Sequence, residues 1–400
     1  MHRFKFVCFF ALVLLCGCLP PAEPMAQTAA PSGGSYEYTP AGGVTAVVFD
    51  GSSARIDGAG AVFSGGTLVI EQAGVYSFSG VLENGRILVD TGGEHAGEAV
   101  QIVLAGLSLH SEAGSAIYAP GAESVSLIIE DGSQNALSSA LVSASSAVVF
   151  VRNSLHISGG GSLSVNAVAG QGAAGGHGIQ ALGALAVSGG SLEIQARLNG
   201  ILSDGDVAIS GGDISITDCY EGIEGRTVTI SGGRISIVSR DDAINASGGA
   251  ALNDMFVRIT GGDVYLHALG DGIDSNGNIF LEGGRLNISA PSRFFEGAID
   301  FDGFFLVSGG EMVTAGSVRG VSPDSTQPII VITSIGLWAS GSVIDVRDMD
   351  GNILLEYASR NAFSHMGLTS GRFRVGETYA LYINGQRRLD IPLAGMVTML

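Results

Sequence analysis

The chain has 400 residues, with 62 glycines, 46% hydrophobic residues and only 14% charged residues. This composition is too apolar for a disordered chain, and the glycines follow no Gly-X-Y period, so collagen is excluded. The formal net charge of −19 would repel nucleic acid and anionic membrane and would attract metal cations. We therefore expect no nucleic-acid partner.

The first 17 residues are predicted to be a lipoprotein signal peptide. Two basic residues, Arg3 and Lys5, precede an apolar stretch that is too short to span a bilayer. The following Leu15-Cys16-Gly17-Cys18 is similar to a bacterial lipobox with Cys18 as the lipidated residue, and an ordinary cleaved signal is the alternative. Residues 18–43 are rich in Pro, Ala, Ser and Gly and are predicted to be a flexible tether. We expect an exported protein, lipid-anchored to the cell envelope, either periplasmic or at the cell surface.

A Gly-Gly pair preceded by a short apolar alternation recurs along the chain. The pairs stand at 159–160, 189–190, 211–212, 232–233, 261–262, 283–284 and 309–310. Segments between them, such as Asp213-Ile-Ser-Ile-Thr217, alternate with period two and are predicted to be strands with one buried face. Units of about 22 residues with three strands and no helical periodicity favour an all-β fold, a right-handed parallel β-helix.

The repeat becomes irregular toward both ends. Residues 44–158 are predicted to be earlier coils of the same solenoid, which gives a β-helix over 44–321. Residues 322–400 lack the glycine pairs and contain aromatic-rich strands with predicted hairpin turns at Asp348-Met-Asp-Gly351 and Asn384-Gly385. We expect them to form a small β module that covers the open end of the solenoid.

Three of the four cysteines lie in the signal region, so no disulfide framework is possible. Cys219 is predicted to be a small buried hydrophobe rather than a nucleophile. None of the seven histidines has zinc-ligand spacing.

An x-Gly/Ala-Ile-y step follows most glycine pairs, and its x and y positions collect acidic residues toward the later coils. The x positions are His177, Asn199, Glu221, Asp242, Asp271 and Gly297, and the y positions are Gln180, Leu202, Glu224, Asn245, Asp274 and Asp300. Because stacked coils are about 4.8 Å apart, equivalent side chains would be close neighbours.

Stacked carboxylates have an energetic cost. Two carboxylates about 4 Å apart repel by about 1 kcal/mol in water and by up to about 4 kcal/mol at a protein surface. Either their pKa values rise or a cation lies between them. Oxygen ligands of this kind suit Ca²⁺. The predicted ligands, in some subset, are Glu221, Glu224, Asp241, Asp242, Asn245, Asp271, Asp274 and Asp300. The alternative is that these residues occupy turns and face water.

Possible sugar contacts lie around the acidic corner. Tyr220 and Arg240 flank it, and Arg293 stands beside a group of phenylalanines that could stack on sugar rings or pack in the core. These phenylalanines are Phe294, Phe295, Phe301, Phe304 and Phe305.

The chain resembles the bacterial carbohydrate-binding-domain proteins with a pectate-lyase-like β-helix. The similarity lies in the stretches 74–80, 85–90, 103–108 and 116–118, in the Gly-Gly repeats with Asp271-Gly-Ile-Asp274, and in the tail around 376–379, and it extends over roughly 44–395. It implies a Ca²⁺-binding surface β-helix that binds acidic polysaccharide, with metal sites at positions that match Glu221/Glu224, Asp242 and Asp271/Asp274. The chain departs from the pattern at Leu202 and Ala243.

Three functions remain open at this stage. The first is non-catalytic binding of uronate-type polysaccharide through Ca²⁺, by an expected monomer whose only membrane contact is the lipid anchor. The second is a polysaccharide lyase, which needs a base. Arginine could serve, but no motif places one, and no catalytic residue is assigned. The third is a structural adhesin.

Overall fold

The computed structural model describes residues 43–92, 99–140, 147–167, 176–293 and 295–400. The signal peptide with Cys18, the tether up to residue 42, and Phe294 lie outside the described residues. No described helix is long and apolar enough to cross a membrane.

The described residues form 36 strands and one short 3-10 helix, Leu252–Asp254. The strands, in chain order, are β1 (Val44–Gly51), β2 (Ser53–Asp57), β3 (Ala61–Ser64), β4 (Thr67–Ile70), β5 (Gly74–Leu82), β6 (Arg86–Val89), β7 (Ala99–Ser111), β8 (Ile117–Ala119), β9 (Ser124–Ile129), β10 (Gln134–Ser139), β11 (Ala147–Val151), β12 (Ser154–Gly159), β13 (Ser162–Asn166), β14 (His177–Ala181), β15 (Leu185–Val187), β16 (Ser191–Gln195), β17 (Ile201–Ser203), β18 (Asp206–Ile209), β19 (Asp213–Cys219), β20 (Ile223–Gly225), β21 (Thr227–Ile230), β22 (Arg234–Ser239), β23 (Ile244–Ala246), β24 (Phe256–Ile259), β25 (Asp263–His267), β26 (Ile273–Ser275), β27 (Asn278–Ser289), β28 (Ile299–Phe301), β29 (Phe305–Ala315), β30 (Ile329–Ile332), β31 (Val343–Arg347), β32 (Ile353–Ala358), β33 (Met366–Thr369), β34 (Thr378–Ile383), β35 (Gln386–Pro392) and β36 (Val397–Met399).

Most strands stack in three parallel ladders. Ladder I contains β9, β12, β15, β18, β21 and β24, and ladder II contains β10, β13, β16, β19, β22 and β25. The long strands β7, β27 and β29 run through both of these ladders. Ladder III contains β4, β6, β8, β11, β14, β17, β20, β23, β26 and β28.

Each coil crosses the three ladders in a fixed order. The chain runs through β20 in ladder III, β21 in ladder I and β22 in ladder II, and returns to ladder III at β23. The predicted parallel β-helix is therefore confirmed. The 22-residue spacing holds where Ile179, Ile201 and Ile223 stack. The stacked residues Ile244 and Ile273 are farther apart in sequence, because the coil between them includes the 3-10 helix.

The two glycines of a pair have different roles at the corner between ladders I and II. A Cβ on Gly232 would lie 2.4 Å from the carbonyl oxygen of Ser210 in the preceding coil, so only glycine allows the backbones to approach this closely. Gly233 has a φ of +85°, a left-handed conformation that side chains disfavour. The pair therefore recurs because close approach and backbone reversal are needed at each stacked corner.

The glycine of the x-Gly-Ile step packs directly against side chains in the interior of the solenoid, where there is no space for a Cβ. A Cβ added to this glycine would clash with an isoleucine of the next ladder II strand. On Gly222 it would lie 2.4 Å from Cγ2 of Ile237, and on Gly272 it would lie 2.3 Å from Cγ2 of Ile288. Alanine replaces this glycine in two coils, at Ala243 and Ala298. Ladder II register places Leu266, which has no methyl on Cβ, at the position equivalent to Ile237. Ala243 and Leu266 therefore depart from the repeat together, whereas the ladder II position that corresponds to Ala298 is Thr314.

We predict that Gly272→Ala destabilises the protein by about 1–3 kcal/mol, because the added methyl overpacks the interior. Adding Ile288→Leu should recover part of this loss, since leucine carries no Cγ2 methyl. The free energy of unfolding in denaturant is the measurement. Gly395→Ala is the control, because its Cβ would meet only Val397 O, at 3.9 Å. Full stability of Gly272→Ala would contradict this account of the corner.

The N-terminal end departs from the predicted parallel coils. β1 pairs with β2, and β3 with β4, in antiparallel hairpins, while β1 also pairs in parallel with β5. Among the described residues no coil precedes β1, and at this end the chain folds back on itself and pairs edges that would otherwise be open.

The C-terminal module packs on the last coils. β33 pairs antiparallel with β29 and β30. β32, β31, β34 and β35 form a separate antiparallel sheet, whose buried side chains share one hydrophobic cluster with side chains of β29, β30 and β33. The hydroxyls of Tyr357 and Ser289 lie 2.7 Å apart and connect this sheet to ladder II. Both predicted hairpin turns are confirmed. Asp348 accepts the backbone N–H of Asn352 at 2.8 Å, and Asn384 has a φ of 52°.

Cys219 is fully buried, as predicted for a small hydrophobe. Burial raises the pKa of its thiol to about 12, so the thiol is neutral at physiological pH.

Candidate functional site

The x and y positions form two continuous columns where ladder II leads into ladder III. In the y column Glu224 is the backbone partner of Asn245, Asn245 of Asp274, and Asp274 of Asp300. In the x column the carbonyls of Glu221, Asp242 and Asp271 accept N–H groups from the preceding coils, at 2.9–3.0 Å. Residues 21 to 29 positions apart in sequence are therefore direct neighbours.

Three carboxyl groups of the later coils converge into what we call the lower group, Asp271, Asp274 and Asp300. One ligand oxygen from each lies within 4.8 Å of the other two. Asp271 Oδ1 accepts the Gly297 N–H at 2.5 Å, and Asp242 Oδ1 accepts the Asp271 N–H at 2.7 Å. Backbone N–H donors thus orient the carboxyl groups of Asp271 and Asp242 without neutralising their charge.

The earlier coils contribute an upper group, Glu221 and Glu224. The Asn199 amide nitrogen donates to both carboxyl groups, at 2.9 and 2.5 Å, and Ser247 donates to Glu224 at 2.7 Å. Asn245 Nδ2 lies 3.5 Å from Glu221 Oε1. Side-chain donors therefore satisfy much of the upper group.

Burial is the main cause of raised pKa values at this corner, and neighbouring carboxyl groups raise them further. The values rise to about 8 for Glu221, about 7 for Asp242, about 8 for Asp271 and about 6 for Asp274. Without a cation, the folded chain therefore retains protons here near neutral pH.

Asn245 supplies an independent indication of a missing partner. Its side-chain oxygen is buried and has no hydrogen-bond partner, and the residue is only 9% exposed. Such an atom is costly to bury. It stands in the y column between Glu224 and Asp274, where a cation would supply the missing interaction. The donor set, carboxylates with one amide oxygen, fits a hard cation.

We predict that the ion-free chain loses stability as pH rises. The carboxyl pKa values are near 4 in the unfolded chain and about 6–8 in the folded chain, so over this window the folded state binds more protons. Linkage then favours unfolding as pH increases from about 4 to about 8. In chelator, thermal unfolding should occur at a lower temperature at pH 8 than at pH 5.

In the Asp271→Asn variant, the unfolding temperature should fall less between pH 5 and pH 8. The substitution removes one carboxyl group with a raised pKa and retains an oxygen that can accept the Gly297 N–H. Asp213→Asn, at an exposed position of ladder II, is the matched control and should keep the wild-type decrease. Equal decreases in wild type and Asp271→Asn would argue against buried ionisation as the cause.

The other predicted residues surround this corner in different ways. Tyr220 is 48% exposed, and hydrogen bonding to the Asp241 carboxylate raises its pKa. The Arg240 guanidinium donates to the backbone carbonyls of Arg197, Asp218 and Cys219. Arg293 pairs with Glu296 at 2.6 Å, near the lower group.

The phenylalanines separate into core and surface. Phe305 is fully buried and Phe301 packs against the core of the solenoid. Phe295 is 82% exposed and Phe304 is 38% exposed.

A sequence model of the family described as carbohydrate-binding domain-containing protein matches residues 64–201 and again 179–332. The two overlapping matches together cover more than half of the chain. The chain belongs to this family. The second match contains every acidic residue of the upper and lower groups.

One relative within this carbohydrate-binding domain family comes from Acetivibrio thermocellus. It is 32% identical over 159 residues, which are 38% of this chain and 52% of the relative, so the match spans about half the relative's length. A solved structure described as the polysaccharide lyase-like protein from C. thermocellum, a gadolinium derivative, is 24% identical with a TM-score of 0.47. The alignment covers 65% of this chain and 95% of that one.

Three residues that contact the acidic groups were not predicted from the sequence as site residues. Asn199 and Ser247 donate to the upper group, and Arg319 donates to Asp300 at 2.8 Å. The x column contained Asn199, so its position was a usable signal. Arg319 follows Val318, which pairs in parallel with Ile299, so it continues the y column beyond Asp300. No x-Gly/Ala-Ile step marks this position in the sequence, so the repeat did not predict it.

Proposed function

We propose that this protein binds acidic, uronate-type polysaccharide without cleaving it, through Ca²⁺ held by the acidic corner of the β-helix. The observation that supports the cation is the lower group of three converging carboxyl groups, together with the unpartnered side-chain oxygen of Asn245, the backbone partner of Asp274. Family membership supports the carbohydrate.

The lower group would hold the ion, with Asp242 and Asn245 as neighbouring ligands. Ca²⁺ takes six to eight oxygen ligands in flexible geometry, whereas Mg²⁺ demands a near-ideal octahedron and retains its waters. Ligands drawn from different coils, with carboxylates and an amide oxygen, favour the larger ion. The upper group, Glu221 and Glu224, is a second candidate whose existing donors would have to rearrange.

A bound cation also explains how so acidic a protein could hold an acidic polymer. With a net charge of −19, direct contact with a polyuronate would be repulsive. When bound, Ca²⁺ would neutralise the protein carboxylates and offer remaining coordination positions to sugar carboxylates. The exposed Tyr220 and Arg293 stand near the corner as possible sugar contacts.

We predict that Ca²⁺ titration by calorimetry gives a binding signal in the wild type, with a dissociation constant in the range of about 10⁻⁵ to 10⁻³ M. Asp271→Asn/Asp274→Asn should abolish it, because the variant loses two of three converging charges. Asp213→Asn/Asp263→Asn, which removes equal charge from exposed ladder II positions, should bind like the wild type. Absence of heat in the wild type at millimolar Ca²⁺ would remove the metal hypothesis.

A pull-down on insoluble polygalacturonate tests the polymer. We expect retention with Ca²⁺, release by chelator, and no retention of Asp271→Asn/Asp274→Asn, because the ion bridges the two acidic partners. The same sample should release no unsaturated uronate products by absorbance. Formation of unsaturated products would show that the protein is a lyase. Retention on the polymer that persists in the presence of chelator would instead indicate a calcium-independent adhesin.

We also propose that Cys18 anchors the exported protein to the cell envelope through lipid. In a bacterial host, Cys18→Ser should move the protein from the membrane fraction to the soluble fraction, because the residue that carries the lipid is lost. Cys219→Ser is the control, and fractionation with immunoblotting is the measurement. Membrane association that survives Cys18→Ser would contradict the anchor.

A further inference from the structure

A cavity adjoins the lower group at the end of ladder III. Its volume is about 340 Å³, within the range of small-molecule sites. Its lining combines cationic, aromatic and acidic side chains. Those that matter here are Arg293, Phe295, Asp300, Arg319 and His365.

Arg319 lines the cavity and also contacts the lower group. Its Nη1 donates to Asp300 Oδ1 at 2.8 Å, and the side chains are 55% and 24% exposed respectively. Asp300 is also one of the three converging carboxyl groups. In the ion-free chain, the guanidinium therefore neutralises a carboxylate that a cation would need.

Competition for Asp300 would free the guanidinium. An exposed ion pair contributes little stability, so a divalent cation held by three carboxylates can displace it. A guanidinium presents five N–H donors in a planar fork that matches a carboxylate by two parallel bonds. Arg319 released from Asp300 remains beside the cavity and can bind a carboxylate there.

The rest of the cavity suits an acidic sugar. Arg293, whose side chain is 71% exposed and paired with Glu296, adds a second guanidinium. Phe295 is 82% exposed and offers an apolar ring against which the C–H face of a sugar can pack. Once a cation holds Asp300, the cavity lining keeps two guanidinium groups and one further carboxylate, Glu296, and together with the aromatic surface this favours a carboxylate-bearing ring over a neutral one.

We propose that this cavity binds one carboxylate-bearing sugar unit, and that Arg319 couples this binding to the cation by exchanging Asp300 for the sugar carboxylate. The inference rests on the proposed function and adds the location of a sugar subsite and the cause of its calcium dependence.

The test uses the full chain and the variant Arg319→Gln, with two separate titrations by calorimetry. In the first, Ca²⁺ is titrated alone. In the second, trigalacturonate is titrated at saturating Ca²⁺. We expect the affinity for trigalacturonate to fall at least tenfold while the affinity for Ca²⁺ is unchanged or increases, because the competitor for Asp300 is gone.

Two further variants sharpen the result. Arg319→Lys keeps the charge but not the fork, so it should bind Ca²⁺ like the wild type and trigalacturonate more weakly. Arg387→Gln removes an exposed arginine that pairs with Asp390 at 2.7 Å in the C-terminal sheet, and both of its affinities should equal those of the wild type.

The outcomes separate this inference from the proposed function. If the wild type binds trigalacturonate with Ca²⁺ and Arg319→Gln binds it equally well, the subsite is wrong and the function stands. Parallel loss of Ca²⁺ and sugar binding in Arg319→Gln would mean a structural role and would also overturn the coupling. A wild type that binds no trigalacturonate at any Ca²⁺ concentration would overturn both.

Discussion

Parallel hydrogen bonding between successive coils is the constraint on which the rest of this structure depends. It sets each residue about 4.8 Å from its equivalent in the next coil, so like residues meet like residues along the whole solenoid. Inside, this is favourable, because Ile201, Ile223, Ile244 and Ile273 form one continuous apolar stack. Outside, the same spacing brings carboxyl groups together.

The solenoid handles this crowding differently in its two acidic groups. In the upper group, Asn199 and Ser247 donate hydrogen bonds to the two glutamates, so side chains of the protein satisfy much of the hydrogen-bonding capacity of these carboxyl groups. In the lower group, Asp271 accepts a backbone N–H, as the neighbouring Asp242 does, and Arg319 on Asp300 is the one cationic partner among the described ion pairs. Apart from Arg319, the lower group therefore has fewer side-chain donors than the upper group among the described hydrogen bonds, and Asn245, the backbone partner of Asp274, retains an unpaired side-chain oxygen.

Much of the fold and part of the site follow from the repeat. The position of a residue relative to a glycine pair predicts its ladder and its column, which is how Glu224, Asn245 and Asp274 could be placed in one column without a structure. The repeat carries no such information where it stops. The antiparallel hairpins of β1 to β4 lie at the end where no described coil precedes β1, and Arg319 extends the y column past Asp300 from a segment that lacks the x-Gly/Ala-Ile step.

The sequence by itself determined the coil, because period-two alternation and glycine at each corner leave few other ways to bury the aliphatic side chains. It also determined which acidic residues share a column, since register follows from the spacing of the repeat. Tertiary structure alone decided what surrounds those columns: the burial that raises the carboxyl pKa values, the orphaned oxygen of Asn245, and the cavity between the last coil and the C-terminal module. These depend on side-chain direction and on contacts between distant segments, which a one-dimensional pattern does not encode.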